Sequence, residues 1–401
     1  MTLPKKILLV EAIHPVAKSR LETDGFDVHL LTHSPSEKEL CELLPQYNVL
    51  GIRSKTQITS RVIESARHLD CMGAFCIGTN QVDLGRAQVE GIPVFNAPHA
   101  NTRSVAELVV AEMICLARQL GDRNTGAHKG DWIKSAEGAK EVRGKTLGIV
   151  GYGHIGSQLS VLAEALGLKV IFHDIVKKLP LGNATPMANL EEVLRLSDFV
   201  SLHVPETEMT KNMIGAAEFA VIKKGAYLIN ASRGTVVDID QLVLALKNKV
   251  IAGCAIDVFP EEPASNKEKF QSPLQGLANV LLTPHIGGST EEAQYNIGVE
   301  VAESFRKFLL HGSTSGAVNF PVVDLPPMRK AQRFINVHRN EPGVLGEINA
   351  AISAHGANIV AQQLSTESAI GYIVTDVEGG NIAQLVVDIG RLPRSLRTRL
   401  V

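Results

Sequence analysis

At 401 residues, 45% of them hydrophobic, the chain has enough apolar side chains for two or three domains. Forty Lys and Arg face 42 Asp and Glu, a net charge of −2 with no block of like charge, so charge gives no case for nucleic acid or an anionic membrane as partner. Five cysteines without a C-x-x-C spacing or a companion His cluster argue against a disulfide frame and a zinc site, and no metal is expected.

Aromatic residues make up only 4%, so the core must come from Val, Ile, Leu and Ala, which suits parallel sheets buried on both faces. The N-terminal apolar run is one strand long with no cleavage site, and no stretch reaches the roughly 20 residues of a membrane helix; a cytoplasmic protein is expected.

In chain order, KILLVEA, FDVHLL, NVLGIRS, the stretch from Met72 to Cys76 and IPVFNAP read as strands. Helical patterns over 16–23, 37–44, 61–66 and 84–90 separate them, which predicts a parallel α/β unit. NTRSVAELVVAEMICLARQL then reads as a long connecting helix, with Ser104 and Glu107 spaced as a capping box and Thr102 as a competing cap. A second alternating series follows through KTLGIVGYG, KVIFHD, DFVSLHV, AYLINAS, IAGCAIDV and VLLTPHIG, then the helical STEEAQYNIGVEVAESFRKFLL. Residues 311–332 are rich in Gly, Ser and Pro and read as a linker. The remainder is β-α-β-β-α-β: RFINVHR, a helix over 344–355, ANIVAQQLST, IGYIVTDV, a helix near 382–390, and TRLV. That order is ferredoxin-like.

Gly151, Gly153 and Gly156 carry the G-x-G-x-x-G spacing between an apolar strand and a helical pattern. Glycines allow a tight turn and close backbone approach, and the helix N-terminus offers free N–H groups to a pyrophosphate. The next strand ends at Asp174, whose carboxylate can accept from ribose hydroxyls and would repel a 2′-phosphate. NAD is therefore the expected cofactor, although His173 and Lys177 stand nearby.

Three later motifs place polar groups at strand ends, where open α/β sheets bind ligands. INASRGTVVD presents Arg233, CAIDVFPEEP presents Asp257 and Glu262, and LLTPHIGGST presents His285. Oxidising an alcohol requires a base as hydride leaves, and imidazole has a pKa near working pH. Glu262 beside it would favour the imidazolium and orient the ring, while Arg233 would fork onto a carboxylate. Singly, each has an ordinary reading: a turn histidine, a solvated loop carboxylate, an arginine paired with Asp238. Together they point to hydride transfer at C2 of a small 2-hydroxy acid.

GYGHIG, NASRGTVVD, AIDVFPEEP and TPHIGGST closely resemble the D-isomer-specific 2-hydroxyacid dehydrogenases, in the form with a C-terminal ACT domain. The resemblance, supported by AFCIGTNQVDL, VFNAPHANTRSVAEL and LPLGNAT, covers essentially the whole chain. It implies that Arg233 binds substrate, Glu262 supports the histidine and His285 exchanges the proton. It also implies NAD contacts from His154, Ile155, Asp174, Ala231, Ser232, Arg233, Asp257, His285, Ile286, Gly287 and Gly288. The implied fold class is α/β: two Rossmann-like parallel-sheet domains and a ferredoxin-like βαββαβ ACT domain. The substrate domain is discontinuous (1–100 and 286–315), the NAD domain spans 101–285, a linker 316–331, and the ACT domain 332–401.

A phosphorylated acid, 3-phosphoglycerate or phosphohydroxypyruvate, needs further cations, and GIRSKT offers Arg53, Ser54 and Lys55 at a strand end, with Arg103 and Lys134 as additions. An arginine plus backbone N–H groups would serve the phosphate well, although these are also ordinary loop charges. The likeness allows 2-oxoglutarate as a second substrate. In VHRNEPGVL and GANIVAQ, His338, Asn340 and Asn358 could hold a small amino acid or simply serve turns and caps. Resemblance to serine-binding ACT domains implies L-serine as effector and a homo-oligomer, a tetramer. The rivals are a dehydrogenase of an unphosphorylated acid, an NAD-sensing protein like the co-repressors that share this fold, and a purely structural scaffold.

Overall fold

The computed structural model describes residues 4–66, 69–263, 267–326, 331–367 and 369–401. The chain divides into two compact units, one of residues 1–100 and 294–401 and the other of 101–293.

In the first unit the N-terminal segment runs β1 (Lys6–Leu9), α1 (Pro15–Thr23), β2 (Asp27–Leu30), α2 (Glu37–Leu43), β3 (Val49–Ile52), α3 (Ser60–Ser65), β4 (Cys71–Ala74), α4 (Leu84–Val89), β5 (Val94–Phe95). The strands pair in the order β2-β1-β3-β4-β5, all parallel. Alternation sends Ile7 and Leu9 into one buried cluster and Leu8 and Val10 into the other, so both sheet faces are covered. Side chains start the helices: Ser36, Thr59 and Asp83 accept from Glu39, Val62 and Arg86 backbone N–H groups.

The second unit contains α5 (Thr102–Arg118), α6 (Leu120–His128), β6 (Thr146–Val150), α7 (His154–Ala165), β7 (Lys169–His173), β8 (Thr185–Pro186), α8 (Leu190–Leu196), β9 (Phe199–Leu202), α9 (Ala216–Val221), β10 (Ala226–Asn230), α10 (Ile239–Lys247), β11 (Ile251–Ile256) and β12 (Val280–Leu282). Its seven-stranded sheet has the order β12-β11-β10-β9-β6-β7-β8 and is parallel throughout. The order reverses between β6 and β9, which is where doubly wound sheets bind dinucleotides. Neither expected cap closes α5. Its N-cap is Asn101 with no side-chain bond, and the Ser104 hydroxyl instead donates to Gly287 O at 2.6 Å.

The long α11 (Glu291–His311) leads back to the first unit. In the segment expected to be a linker, residues 327–330 lie outside the described residues and the part before them is folded: Thr314, Asn319, Phe320 and Val323 are buried. Asn319 Oδ1 accepts from Val94 N at 2.8 Å and Val318 N donates to Val94 O at 2.8 Å, so this stretch flanks β5. A polar composition hid this because Asn319 spends its amide on backbone groups rather than on water.

The C-terminal elements are β13 (Gln332–Arg339), α12 (Val344–Ala354), β14 (Asn358–Thr366), β15 (Ile370–Glu378), α13 (Ile382–Gly390) and β16 (Ser395–Leu400). They form an antiparallel sheet in the order β14-β15-β13-β16, the ferredoxin-like arrangement. One sheet face packs on α12 and α13. The other contributes Ile335, Val337, Tyr372 and Val374 to the cluster that holds Phe305, Phe308 and Phe320. Arg333 ties this junction: it pairs with buried Asp376 at 2.7 Å and donates to His311 O and Pro326 O at 2.9 and 2.7 Å.

Candidate active site

The glycine loop follows β6. Gly151 has φ +90°, and a Cβ there would meet the His203 carbonyl oxygen at 2.3 Å, so conformation and space both demand glycine. Gly156 lets α7 sit against the loop, its Cβ position only 2.3 Å from Gly151 O. Gly153 faces open space, with no heavy atom within 4 Å of its Cβ position. It is the N-cap of the twelve-residue α7, whose first turn carries His154 and Ile155 and whose leading N–H groups have no partner inside the helix. Asp174 Oδ2 accepts from Tyr152 N and Oδ1 from Val176 N, both at 2.8 Å. Each oxygen keeps a lone pair for a ribose hydroxyl. Asp174 thus also pins the glycine loop, a role its spacing did not disclose. Open face, helix donors and carboxylate together fit a dinucleotide.

At the end of β10 the buried Asn230 builds the next turn. Its Oδ1 accepts from Ser232 N and Ser232 Oγ at 3.1 and 2.7 Å, and its amide donates to Arg233 O at 3.0 Å. Ala231 and Ser232 lie in this turn. Arg233 is half-buried, with Nη1 donating to Ser232 O at 2.7 Å. Asp238 serves α10 as N-cap, accepting from Gln241 N at 3.1 Å. A Cβ on Gly234 would lie 2.2 Å from Phe259 O, so glycine allows the arginine turn to approach the turn that carries Glu262.

Glu262 Oε1 accepts from Phe259 N at 3.1 Å, and Oε2 lies 2.9 Å from His285 Nδ1. His285 itself has φ +54°. Its loop is fixed by Asp257, 1% exposed, whose carboxylate accepts from the Thr283 hydroxyl (2.6 Å), Ile286 N (2.8 Å) and Gly287 N (2.8 Å). The hydrogen bond to Glu262 raises the His285 pKa above 6.5, against burial, and the charges of Glu262 and Asp257 add to the rise while Arg233 opposes it. Burial pushes the Glu262 carboxyl up, but the bond and charge of His285, the Phe259 N–H and Arg233 outweigh it, and the net shift is downward. An imidazole engaged at Nδ1 keeps Nε2 for proton exchange, beside a guanidinium able to grip an anion.

Two residues of α5 carried no sequence signal for the part they play here. Ser104 restrains the Gly287 carbonyl from α5. Glu112, on the same helix and 4% exposed, has neither carboxylate oxygen in a hydrogen bond. Burial and then the Asp257 charge push its pKa up to about 8.

In the first unit, Arg53 is half-buried while Ser54 and Lys55 are exposed. The backbone donors expected to help an anion there are occupied: Arg53 N, Lys55 N and Thr56 N all bind the carboxylate of Glu11. Arg103 pairs with Glu107, one turn along α5, and Lys134 is exposed.

In the C-terminal sheet, His338 is 3% exposed, with Nδ1 3.0 Å from Asn336 Oδ1, and burial lowers its pKa. Asn340 donates to Glu367 O at 3.0 Å. His338 pairs in register with Gly371 near the Thr366 end of β14, whereas Asn358 opens β14 opposite Glu378. At about 3.3 Å per residue the nine-residue β14 is roughly 26 Å long, so one chain does not bring Asn358 to the other two. The antiparallel return of β14 carries Asn358 away from His338 and Asn340 of the same chain. Among the described residues no group of three or more His, Cys, Asp or Glu could hold a metal, and no helix is long and apolar enough to cross a membrane.

Residues 110–287 match the family model of the D-isomer specific 2-hydroxyacid dehydrogenase NAD binding domain, and residues 334–397 that of the AHAS small subunit-like ACT domain. The chain is 51% identical to D-3-phosphoglycerate dehydrogenase of Escherichia coli K12 and 50% identical to that of Haemophilus influenzae, covering 99% of this chain and 97% of each relative. Among solved structures it is similar to Aquifex aeolicus D-lactate dehydrogenase complexed with NAD and lactic acid, at TM-score 0.68 and 26% identity over 79% of this chain and 99% of that one. D-2-hydroxyisocaproate dehydrogenase gives 0.70 and 26% over 79% and 100%.

Proposed function

Because the chain belongs to the D-isomer-specific 2-hydroxyacid dehydrogenase family and is an NAD-dependent dehydrogenase, we propose that it oxidises D-3-phosphoglycerate to 3-phosphohydroxypyruvate, the first step toward L-serine. The observation that carries the reading is the 2.9 Å contact of His285 with Glu262 beside Arg233, in a chain whose near-full-length relatives bear that enzyme's name.

The loop of Gly151, Gly153 and Gly156 with Asp174 would hold NAD, which would supply a hydride acceptor for C2. Arg233 grips the substrate carboxylate and stabilises negative charge on the C2 oxygen. His285 removes the hydroxyl proton at Nε2, and Glu262 stabilises the resulting imidazolium through Nδ1. In the reverse direction the same imidazolium protonates the oxygen. Asp257 holds the histidine loop, and Arg53, Ser54 and Lys55 take the phosphate. 2-Oxoglutarate is a second substrate of the reductive direction.

L-Serine is the effector of the C-terminal unit, with its carboxylate and ammonium held by His338, Asn340 and Asn358. Because Asn358 lies at the far end of β14, a second copy completes this site, which favours a homo-oligomer, a tetramer, working in the cytoplasm. Serine binds the less active arrangement more tightly and shifts the population toward it.

The test is to follow NADH loss with phosphohydroxypyruvate, hydroxypyruvate, pyruvate and glyoxylate, with and without L-serine. Turnover selective for the phosphorylated acid and suppressed by serine supports the reading. Selective turnover of an unphosphorylated acid moves the chain to a lactate- or glycerate-type activity. Tight NADH binding without any turnover makes it a sensor.

A further inference from the structure

A second buried carboxylate organises a different loop. Glu11 follows β1, is 8% exposed, and together with Ala12 takes positive φ, +61° and +50°. That conformation is uncommon for residues other than Gly, Asn and Asp and is kept only where the surroundings enforce it. Here Glu11 N donates to His33 O and Ala12 N to Leu31 O, each at 3.0 Å.

The bend delivers the Glu11 carboxylate to the backbone after β3. Oε1 accepts from Arg53 N at 3.1 Å and from Thr56 N at 2.8 Å, while Oε2 accepts from Lys55 N at 3.1 Å. Arg53 Nη1 reaches the Glu11 carbonyl at 3.5 Å. From the other side Gln81, also 8% exposed, donates through Nε2 to Arg53 O at 2.8 Å. Both polar groups of the Arg53 main chain are therefore held by buried side chains.

Burying an ion is costly unless its hydrogen bonds are made, and three N–H donors make them. The same bonds remove the main chain of 53, 55 and 56 as an anion receptor. Recognition of an anion then falls to the side chains that this loop projects.

We propose that Glu11 is a positioning residue for substrate specificity: it fixes the loop after β3 so that Arg53 and Lys55 meet the substrate's phosphate. This rests on the reading of Arg53 and Lys55 as phosphate ligands. It runs against simple electrostatics, in which an anion beside a phosphate site weakens binding and its neutralisation strengthens it.

The experiment compares full-length Glu11→Gln, Glu11→Asp and Arg53→Ala with the unaltered chain. It reads KM and kcat for phosphohydroxypyruvate and for hydroxypyruvate, NADH affinity and thermal melting. Glu11→Gln leaves one acceptor oxygen where two served three donors, and a misplaced ligating group costs about tenfold or more in KM for the phosphorylated acid. KM for hydroxypyruvate and NADH affinity stay within about twofold, since neither uses the phosphate contact. Glu11→Asp keeps the charge but not the reach, and falls between. Should Glu11→Gln not fold, Gln81→Met, which releases Arg53 O, is expected to show the same selective loss. A KM for the phosphorylated acid that is unchanged or lowered, or equal losses for both acids, overturns the inference. If Arg53→Ala raises that KM while the Glu11 and Gln81 variants are silent, only the positioning role is lost. If Arg53→Ala is itself silent, the phosphate reading falls and takes the inference with it.

Discussion

His285 Nδ1 and Glu262 Oε2 lie 2.9 Å apart although they stand on different loops, one following β11 and the other β12. Two restraints make the meeting possible, Phe259 N on Glu262 and Asp257 on the loop of His285, and the bare Gly234 lets the turn of Arg233 come close as well.

Replacing Glu262 by Gln removes the main cause of the raised His285 pKa. A raised histidine pKa contributes stability that is complete below 6.5 and is lost as pH rises through the folded value. His285 is half exposed, so the sensitive readout is kinetic rather than thermal. Oxidation needs the neutral ring and rises with pH through that pKa, while reduction needs the imidazolium and falls. In Glu262→Gln both limbs move to lower pH, and kcat drops in each direction. Profiles of kcat/KM in both directions check this; limbs that stay in place contradict it.

Glu112 works in the same sense, through burial rather than a partner. Its carboxyl, pushed from 4.5 up to about 8, stays protonated in the fold when the unfolded chain has ionised. Its contribution is therefore full below about pH 4.5 and is lost progressively as pH rises toward about 8. At about 1.4 kcal/mol per unit the ceiling on that loss is about 5 kcal/mol. Glu112→Gln is expected to melt at higher temperature than the unaltered chain at pH 8, with the difference shrinking toward pH 5. Parallel melting curves across that range would count against a buried acid.

Much of this architecture was legible in the sequence. Gly151, Gly153 and Gly156 between an apolar strand and a helix marked the tight loop after β6, and the strand-end positions of Arg233, Glu262 and His285 marked side chains that the fold gathers. Short apolar runs marked the strands, and the scarcity of aromatics fitted parallel sheets buried on both faces. What escaped were tertiary bonds between polar groups. Ser104 looked like a cap but restrains Gly287, and the polar stretch around Asn319 looked like a linker but flanks β5. Glu11, Asn230 and Glu112 have local sequence contexts that say nothing about which backbone groups they meet. The pattern of residues near Asn358 likewise could not show that β14 carries it away from His338.

Arg333 offers a test of how the C-terminal sheet is fastened. It is 7% exposed and binds Asp376 and three carbonyls that precede β13. Arg333→Met leaves Asp376 as an unpaired buried anion, which costs about 3–5 kcal/mol. Differential scanning calorimetry is expected to show a lower melting temperature, and the double change Arg333→Met with Asp376→Leu should recover most of it. No loss in the single variant would mean the pair is not closed in solution.

Asp174 offers a test of cofactor choice. Asp174→Ala removes the acceptor for ribose hydroxyls and the restraint on Tyr152 N, so NAD affinity falls by about tenfold while discrimination against NADP weakens. Fluorescence titration with NADH and NADPH measures both, and unchanged discrimination would place the ribose elsewhere.

The most direct measurement is turnover of phosphohydroxypyruvate by His285→Ala with NADH binding followed in the same samples. Proton transfer by a positioned histidine accounts for about a hundred- to ten-thousandfold in rate, so turnover should fall by that factor while NADH still binds. A variant that binds NADH and turns over at the rate of the unaltered chain would contradict the assignment of His285 as the acid and base.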